Sequence, residues 1–252
     1  MLKIAFADRA AATADPAFVK VPVDRLISKA YAAERRAQID LERAQSWTAG
    51  VAPSESPNTT HVTVADRDGH VVSTTQTINS LFGARFILPG TGIIPNNYMY
   101  LFDPHPGKAL SVAPGKRITT SQAPLIALKD GKPAFALGLP GGLRIFGSAM
   151  QAVVNLIDYG MSLQEAVEAP RLWTQGQAVE IEEGYGAAAE ALKARGHDVA
   201  ILPHVGGGMN AIAFNDDGSM TGAACWRADG TPVSLGGGLA RDNIRFWPDV
   251  RR

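Results

Sequence analysis

Short runs in which apolar and polar residues alternate occur in pairs along the chain, and an Asp-Gly turn divides each pair. The paired runs cover residues 61–77, 124–139 and 209–226. Alternation with a period of two is typical of a strand with one buried face, and glycine readily adopts the left-handed conformation of a tight turn. The pattern therefore predicts three β-hairpins, which turn at Gly69, Gly131 and Gly218.

Apolar residues at helical spacing lie between the hairpins. The predicted helical segments are residues 22–46, 140–160, 162–169 and 185–196, the last followed by a strand. Ser162 with Glu165 three residues later forms a capping box at the start of the third segment, and Pro170 ends it. Hairpins combined with a few helices predict an α+β layered fold with antiparallel sheets.

Three segments lack such periodicity. Residues 46–58 are rich in Ser, Pro and Gly and predict an exposed loop, whereas residues 83–118 predict a long ordered loop. Residues 206–210, "GGGMN", indicate a flexible glycine run. It lacks the lysine and the strand-to-helix context of a phosphate-binding loop, which argues against nucleotide binding.

Composition narrows the classes of protein. The chain has 252 residues, enough for one large domain or two small ones, and 46% of them are apolar. Its 24 basic and 24 acidic residues balance, which argues against a nucleic-acid or anionic-membrane binder. No apolar stretch approaches the roughly 20 residues of a membrane helix, and the N-terminus does not resemble a signal peptide.

The residues that usually bind metals are few and scattered. A single cysteine, Cys225, excludes an internal disulfide and a cysteine-rich zinc site. The five histidines show neither metal-ligand spacing nor a carboxylate partner at a fixed offset. We therefore predict no metal site.

A possible nucleophile lies at the start of the first hairpin, where Asn58 precedes Thr59 and Thr60. A hydroxyl is a weak nucleophile unless a base lies beside it. A cut between Asn58 and Thr59 would give Thr59 a free α-amine with a pKa of about 7.7–8.0, which can accept the hydroxyl proton. The alternative is that both threonines belong to an ordinary turn and strand start.

Other polar residues fit a site for acyl chemistry. Gly141 and Gly142 precede a predicted helix, where adjacent N–H groups can bind an oxyanion, although a steric turn is the alternative. Thr77 and Asn79 alternate at strand spacing, so we expect their side chains to share one face of the site. The alternative interpretation is an ordinary exposed strand face. The hydroxyl run at residues 119–121 suits a polar substrate or, alternatively, a strand edge.

Taken together, these motifs resemble one family. The order of "TTH", "DRDG", "TINSLFG", "NNYM", "PGKRITTSQAP", "GLPGGLRI" and "IDYG…EAVEAPR" is similar to that in the γ-glutamyltranspeptidases, which are N-terminal-nucleophile hydrolases. The resemblance covers about residues 15–185. It implies a four-layer αββα sandwich and a proenzyme that cuts itself before a threonine.

By this resemblance residues 1–58 are the tail of a large subunit with the cleavage linker, and residues 59–252 are the catalytic small subunit. The sandwich is expected to be incomplete without the preceding part of the large subunit, which is therefore an implied partner. The family needs no cofactor, and its members are usually periplasmic or secreted.

The resemblance also implies roles for individual residues. Cleavage would fall between Asn58 and Thr59, with Thr59 as the catalytic nucleophile. The other residues are Thr77, which hydrogen-bonds the nucleophile; Gly141 and Gly142 of the oxyanion hole; Asn79, Tyr98 and Tyr100, which contact substrate; and Thr120 and Ser121, which hold the α-carboxylate of a glutamyl group. The implied activity is γ-glutamyl transfer or glutathione hydrolysis on a small amide.

One departure from the family pattern affects the substrate. Typical members have two acids after "NNxM", and one of them binds the α-amino group of the donor. Here Tyr100 and Leu101 occupy those positions, and Asp103 follows two residues late. An acylase acting on a dicarboxyl-acyl amide without the α-amine, as cephalosporin acylases do, is therefore an alternative. A non-catalytic structural remnant is an alternative of another class.

Overall fold

The computed structural model describes residues 1–47, 58–176 and 178–235. Most of the predicted loop at residues 46–58, from residue 48 to residue 57, lies outside the described residues. In chain order the helices and strands are α1 (Leu2–Ala12), α2 (Val23–Leu26), α3 (Lys29–Ala37), β1 (Thr59–Ala65), β2 (Val71–Thr77), β3 (Leu125–Lys129), β4 (Lys132–Gly138), α4 (Ile145–Ile157), α5 (Leu163–Glu168), β5 (Leu172–Trp173), β6 (Val179–Glu182), α6 (Gly186–Ala194), β7 (Val199–Leu202), β8 (Asn210–Phe214) and β9 (Met220–Ala224).

The chain divides into two compact units. The first unit comprises residues 1–54, 97–120 and 172–203, and the second comprises residues 55–96, 121–171 and 204–252. None of the helices in the described residues is long and apolar enough to cross a membrane.

The first unit contains α1 to α3 and a three-stranded sheet of order β5-β6-β7. Strands β5 and β6 are antiparallel, whereas β6 and β7 are parallel because α6 connects them. This parallel pair differs from the antiparallel sheets that the sequence predicts. Buried residues Val179, Ile181 and Ala189 join the sheet to α6.

The N-terminal part of this unit differs from the predicted helix at residues 22–46. Helix α2 ends at Leu26, and α3 starts after Ser28, whose side chain accepts the N–H of Tyr31 as an N-cap. A capping serine starts a new helix, so the periodic segment is divided in two. Helix α1 was not predicted, and it packs Phe6 edge-on against Trp173 with ring centroids 5.5 Å apart.

The second unit contains the three predicted hairpins. Strands β1 and β2 form a two-stranded sheet, and β3, β4, β8 and β9 form an antiparallel sheet in the order β3-β4-β8-β9. Helices α4 and α5 cover one face of the larger sheet, and hairpin β1–β2 contacts β4 and β8. These described elements form three layers, helix, sheet and hairpin, of the predicted sandwich.

The core of the second unit lies between the larger sheet and its helices. Fully buried side chains include Leu137, Ile145, Val167 and Met209. Burying an aliphatic side chain stabilises a fold by roughly 1.5–3 kcal/mol. The predicted capping box is present, since Ser162 accepts the N–H of Glu165 while the Glu165 carboxylate accepts the N–H of Ser162. It fixes the start of α5 on the sheet.

Candidate active site

Thr59 is the first residue of β1 and pairs with Thr77, the last residue of β2. The Thr77 hydroxyl donates a hydrogen bond of 2.9 Å to the carbonyl oxygen of Asn58. The backbone N–H of Asn79 in turn donates to the Thr77 hydroxyl at 2.8 Å. The structure thus holds the carbonyl of the peptide bond that precedes Thr59, the bond that the sequence predicts to be cut.

Asn79 differs from its predicted setting. Strand β2 ends at Thr77, and Asn79 has a left-handed φ of 71° and is 1% exposed. Asn79 is therefore a buried residue that follows β2, and it does not share a strand face with Thr77 as the sequence predicts. Asparagine tolerates this conformation better than most residues because its short amide can hydrogen-bond locally.

His61 was not singled out by the sequence, although it shares the inner face of β1 with Thr59. Its Nδ1 lies 2.8 Å from the hydroxyl of Thr75, and its Nε2 lies 3.0 Å from that of Thr63. The ring packs on Gly138, where a Cβ would overlap the imidazole. Burial lowers the pKa of His61 to about 4, so the ring is neutral near pH 7.

The same contact region links the hairpin to the larger sheet. The side-chain amide of Asn210 donates to the carbonyl oxygen of His61 at 2.9 Å, and Asn210 pairs with Gly138 across β8 and β4. Strand β1 is thus tied to the end of β4, three residues before Gly141. Local sequence patterns could not predict this contact, because His61 and Asn210 are 149 residues apart.

Gly141 and Gly142 follow β4 and precede α4. Both have positive φ, 139° and 59°, which explains why glycine occupies them. A Cβ on Gly141 would come within 2.8 Å of the Cα of Gly206. Any other residue at Gly141 would therefore strain the backbone, and its side chain would collide with a neighbouring chain segment.

That neighbouring segment is the glycine run at residues 206–208, which the sequence indicates as flexible and which the structure shows hydrogen-bonded on two sides. The N–H of Gly207 donates to the carbonyl of Pro140 at 2.9 Å, and the Arg171 guanidinium donates to the carbonyl of Gly207 at 2.9 Å. Arg171 is 2% exposed. The glycines allow two backbones to meet, and Arg171 holds them beside Gly141.

The remaining predicted site residues divide between the units. Ser121, which is 2% exposed, belongs to the second unit with Thr59 and Thr77. Thr120 is exposed and belongs to the first unit. Tyr98 and Tyr100 also belong to the first unit, in a short 3-10 helix over Tyr98–Leu101.

Two histidines have carboxylate partners, contrary to the sequence prediction. His70 Nδ1 lies 2.8 Å from Asp66, and His105 Nδ1 lies 2.8 Å from Asp103. Ligand atoms of Asp66, Asp68 and His70 lie within 4.8 Å of one another, but all three side chains are exposed. Asp66 also accepts the N–H groups of Asp68 and His70 and so closes the hairpin turn.

The sequence also matches a known protein family. The family model for gamma-glutamyltranspeptidase matches residues 1–235. The chain belongs to the gamma-glutamyltranspeptidase family. The fold is therefore that of an N-terminal-nucleophile hydrolase, as the motifs predicted.

Relatives of this gamma-glutamyltranspeptidase-family chain carry two kinds of name. It is 71% identical over 97% of its length to the Acylase ACY 1 proenzyme of Pseudomonas sp. (strain SE83), of which it covers 44%. It is 39% identical over 88% of its length to the Glutathione hydrolase proenzyme of Escherichia coli (strain K12), of which it covers 41%. The chain thus spans less than half the length of these relatives.

The solved structure of cephalosporin acylase from Bacillus halodurans is also similar. It matches with a TM-score of 0.83 and 30% identity, over 94% of this chain and 44% of that chain. Proteins named acylase and proteins named glutathione hydrolase therefore share this family fold.

Proposed function

We propose that the protein is an acyl-transfer enzyme that cuts its own chain between Asn58 and Thr59 and then uses Thr59 as an N-terminal nucleophile. The observation that carries this proposal is the 2.9 Å hydrogen bond from the Thr77 hydroxyl to the Asn58 carbonyl. A donor on that oxygen stabilises the negative charge that develops when a hydroxyl attacks the carbonyl carbon. Both curated relatives are named proenzymes, which supports a cut.

The cut begins with attack of the Thr59 hydroxyl on the Asn58 carbonyl carbon. The C–N bond breaks, the nitrogen takes the hydroxyl proton, and an ester joins Asn58 to the Thr59 side chain. Water hydrolyses the ester, which frees the carboxylate of Asn58 and the hydroxyl of Thr59. Thr59 then has a free α-amine.

Turnover uses that amine as the base. It takes the Thr59 hydroxyl proton while the oxygen attacks the substrate amide carbonyl, and it returns a proton to the leaving amine. The N–H groups of Gly141 and Gly142 are proposed to bind the oxyanion. The acyl ester is resolved by water or by an acceptor amine, and none of these steps requires a cofactor.

Residues 1–58 are proposed as the tail of the large subunit and residues 59–252 as the catalytic small subunit. The remainder of the large subunit is the proposed partner. Outward side chains of hairpin β1–β2 support this, because Val62, Val64 and Val72 are 46%, 54% and 55% exposed. An apolar strand face of this kind normally packs against another layer.

The substrate is proposed to be a dicarboxyl-acyl amide without an α-amino group. Thr120 and Ser121 would bind its free carboxylate, and Asn79, Tyr98 and Tyr100 would contact the acyl chain. Of the two residues at the family's acid positions, Tyr100 is 44% exposed and Leu101 is buried. Asp103, two residues beyond those positions, accepts both the backbone N–H and the Nδ1–H of His105 with its Oδ1.

The second candidate is γ-glutamyl transfer or glutathione hydrolysis. The family's name and the 39% identity to a glutathione hydrolase proenzyme favour it. The 71% identity to a protein named acylase favours the first candidate. The two candidates share the chemistry of Thr59 and differ only in whether the donor carries an α-ammonium group.

Release of p-nitroaniline by the full-length protein from glutaryl-p-nitroanilide and from γ-glutamyl-p-nitroanilide separates the candidates. We expect kcat/KM to be at least about tenfold higher for the glutaryl compound, because an ammonium without a counter-charge costs several kcal/mol to bury. Faster turnover of the γ-glutamyl compound would contradict the proposed donor.

The nucleophile is tested in the same assay. Thr59→Ala should abolish both activities, whereas Thr60→Ala, a change at the exposed neighbouring residue, should retain them. Equal activity of Thr59→Ala and the wild-type protein would remove Thr59 from the mechanism. Absence of activity from the wild-type protein on both compounds would favour a non-catalytic remnant.

A further inference from the structure

Two segments on opposite sides of the predicted cut meet within the first unit. Asp15 precedes the Asn58–Thr59 bond, and Arg117 follows it, 102 residues further along the chain. The backbone N–H of Arg117 donates to Asp15 Oδ2 at 2.8 Å, and its guanidinium donates to Asp15 Oδ1 at 2.9 Å. The N–H of Ala17 also donates to Oδ1, at 3.0 Å.

The Asp15 carboxylate is therefore saturated and enclosed. Its side chain is 1% exposed, whereas that of Arg117 is 73% exposed. Hydrogen bonds from the guanidinium and the backbone N–H of Arg117 hold the pKa of Asp15 well below its usual range. A buried carboxylate that accepts a backbone N–H from a distant segment fixes that segment's main chain and not only its side chain.

A second contact joins the same two segments. The Lys116 ammonium lies 5.3 Å from the centre of the Phe18 ring, and it donates to the carbonyl of Ser111 at 2.9 Å. A cation over an aromatic face contributes about 0.5–1 kcal/mol at an exposed site. Residues 15–18 thus hold both Lys116 and Arg117.

Arg117 lies three residues before Thr120, the exposed hydroxyl of the proposed carboxylate site. Three residues span at most about 10 Å, so fixing the backbone at Arg117 restricts where Thr120 and Ser121 can lie. We propose that Asp15 is a positioning residue, which holds the 117–121 segment so that Thr120 and Ser121 can bind the free carboxylate of the acyl donor. This inference rests on the proposed function.

The inference assigns a role to the piece that precedes the cut. Residues 1–58 would remain attached after cleavage and would hold part of the small subunit's substrate site. Asp15 would act on substrate recognition without touching the substrate. A change at Asp15 should therefore affect KM more than kcat, and only for substrates that carry the carboxylate.

The test uses Asp15→Asn in the full-length, processed protein, with both pieces shown to co-elute. An asparagine replaces one acceptor oxygen by an NH₂ group that opposes a donor. For whichever p-nitroanilide the wild-type protein turns over, we expect KM to rise about tenfold while kcat changes less than about twofold. For p-nitrophenyl butyrate, an activated ester without the carboxylate, kcat/KM should stay at the wild-type value.

Asp8→Asn is the matched control. Asp8 also forms an ion pair within the first unit, with the Arg35 guanidinium at 2.5 and 3.1 Å, but does not contact residues 116–121 through these bonds. Its loss should not raise KM selectively. If Asp15→Asn does not fold, Arg117→Ala, which retains the backbone N–H, must show a smaller but selective rise in KM.

Equal losses on the carboxylate-bearing anilide and on the butyrate ester, in Asp15→Asn or in Arg117→Ala, would overturn the positioning role while leaving the proposed function intact. An unchanged KM in Asp15→Asn would overturn it as well. Wild-type protein that acts on neither class of compound would remove the proposed function, and this inference with it.

Discussion

At the scale of single residues, the Thr77 hydroxyl is the contact on which the proposed self-cleavage depends. The resemblance implies that Thr77 hydrogen-bonds the nucleophile. In the structure the Thr77 hydroxyl donates to the Asn58 carbonyl and accepts the backbone N–H of Asn79. A hydroxyl that donates to a carbonyl before attack is already oriented toward the oxyanion that follows. Thr77 would therefore contribute most while the chain is intact.

Thr77→Val removes this donor and keeps the shape of the side chain. We expect the cut to slow by about a hundredfold, in the range measured for loss of one oxyanion donor. The measurement is the decay of uncut protein on a denaturing gel after synthesis. Thr74→Val on the opposite face of β2 is the control, and equal rates for the two variants would contradict this role.

Residue-level prediction succeeded where a local conformation demands a residue type. The predicted Asp-Gly turn at Asp130 and Gly131 has φ values of 52° and 77°. Gly141 and Gly142 have positive φ, which fits the steric turn given as the alternative, and their oxyanion role stays a prediction. Asp15 carries no such signal, because its partner at Arg117 is set by the fold and not by neighbours in sequence.

At the scale of elements, hairpin β1–β2 joins the larger sheet through polar contacts. Ser73 donates to the carbonyl of Leu137, and Asn210 donates to that of His61. The three hairpins were predicted correctly because their turns are local signals. The helix predicted over residues 22–46 is instead two shorter helices that end at Ala37, and Ser28 caps the second of them.

The buried imidazole of His61 makes this junction sensitive to acid. The hydroxyls of Thr63 and Thr75 and the backbone of Gly138 lie against the ring, and burial is the cause of its low pKa. The unfolded chain binds a proton near pH 6.5, whereas the folded chain does so only near pH 4. The stabilising contribution is therefore full above pH 6.5 and is lost as the pH falls toward 4.

Chemical denaturation at pH 7.5 and pH 4.5 tests this linkage. The free energy of unfolding of the wild-type protein should fall by about 2 kcal/mol more than that of His61→Gln, which has no titrating ring. Parallel decreases in the two proteins would show that His61 is not the group responsible.

At the scale of the whole molecule, the order of motifs predicted the family, and the match over residues 1–235 confirms it. The layers of the second unit follow from hairpins and helices whose periodicity the sequence shows. The contacts that connect distant segments could not be predicted, since nothing local marks His61 for Asn210 or Arg171 for Gly207. They are properties of the packed chain.

The central claim is that a cut before Thr59 frees the amine that activates its own hydroxyl. Mass spectrometry of the full-length protein, quenched during turnover of glutaryl-p-nitroanilide, tests it most directly. We expect two pieces whose masses add up to the uncut chain plus one water before substrate is added, and during turnover a second piece that is heavier by one glutaryl group, carried on Thr59. An uncut chain, or a cut chain whose Thr59 never carries an acyl group, would contradict the claim.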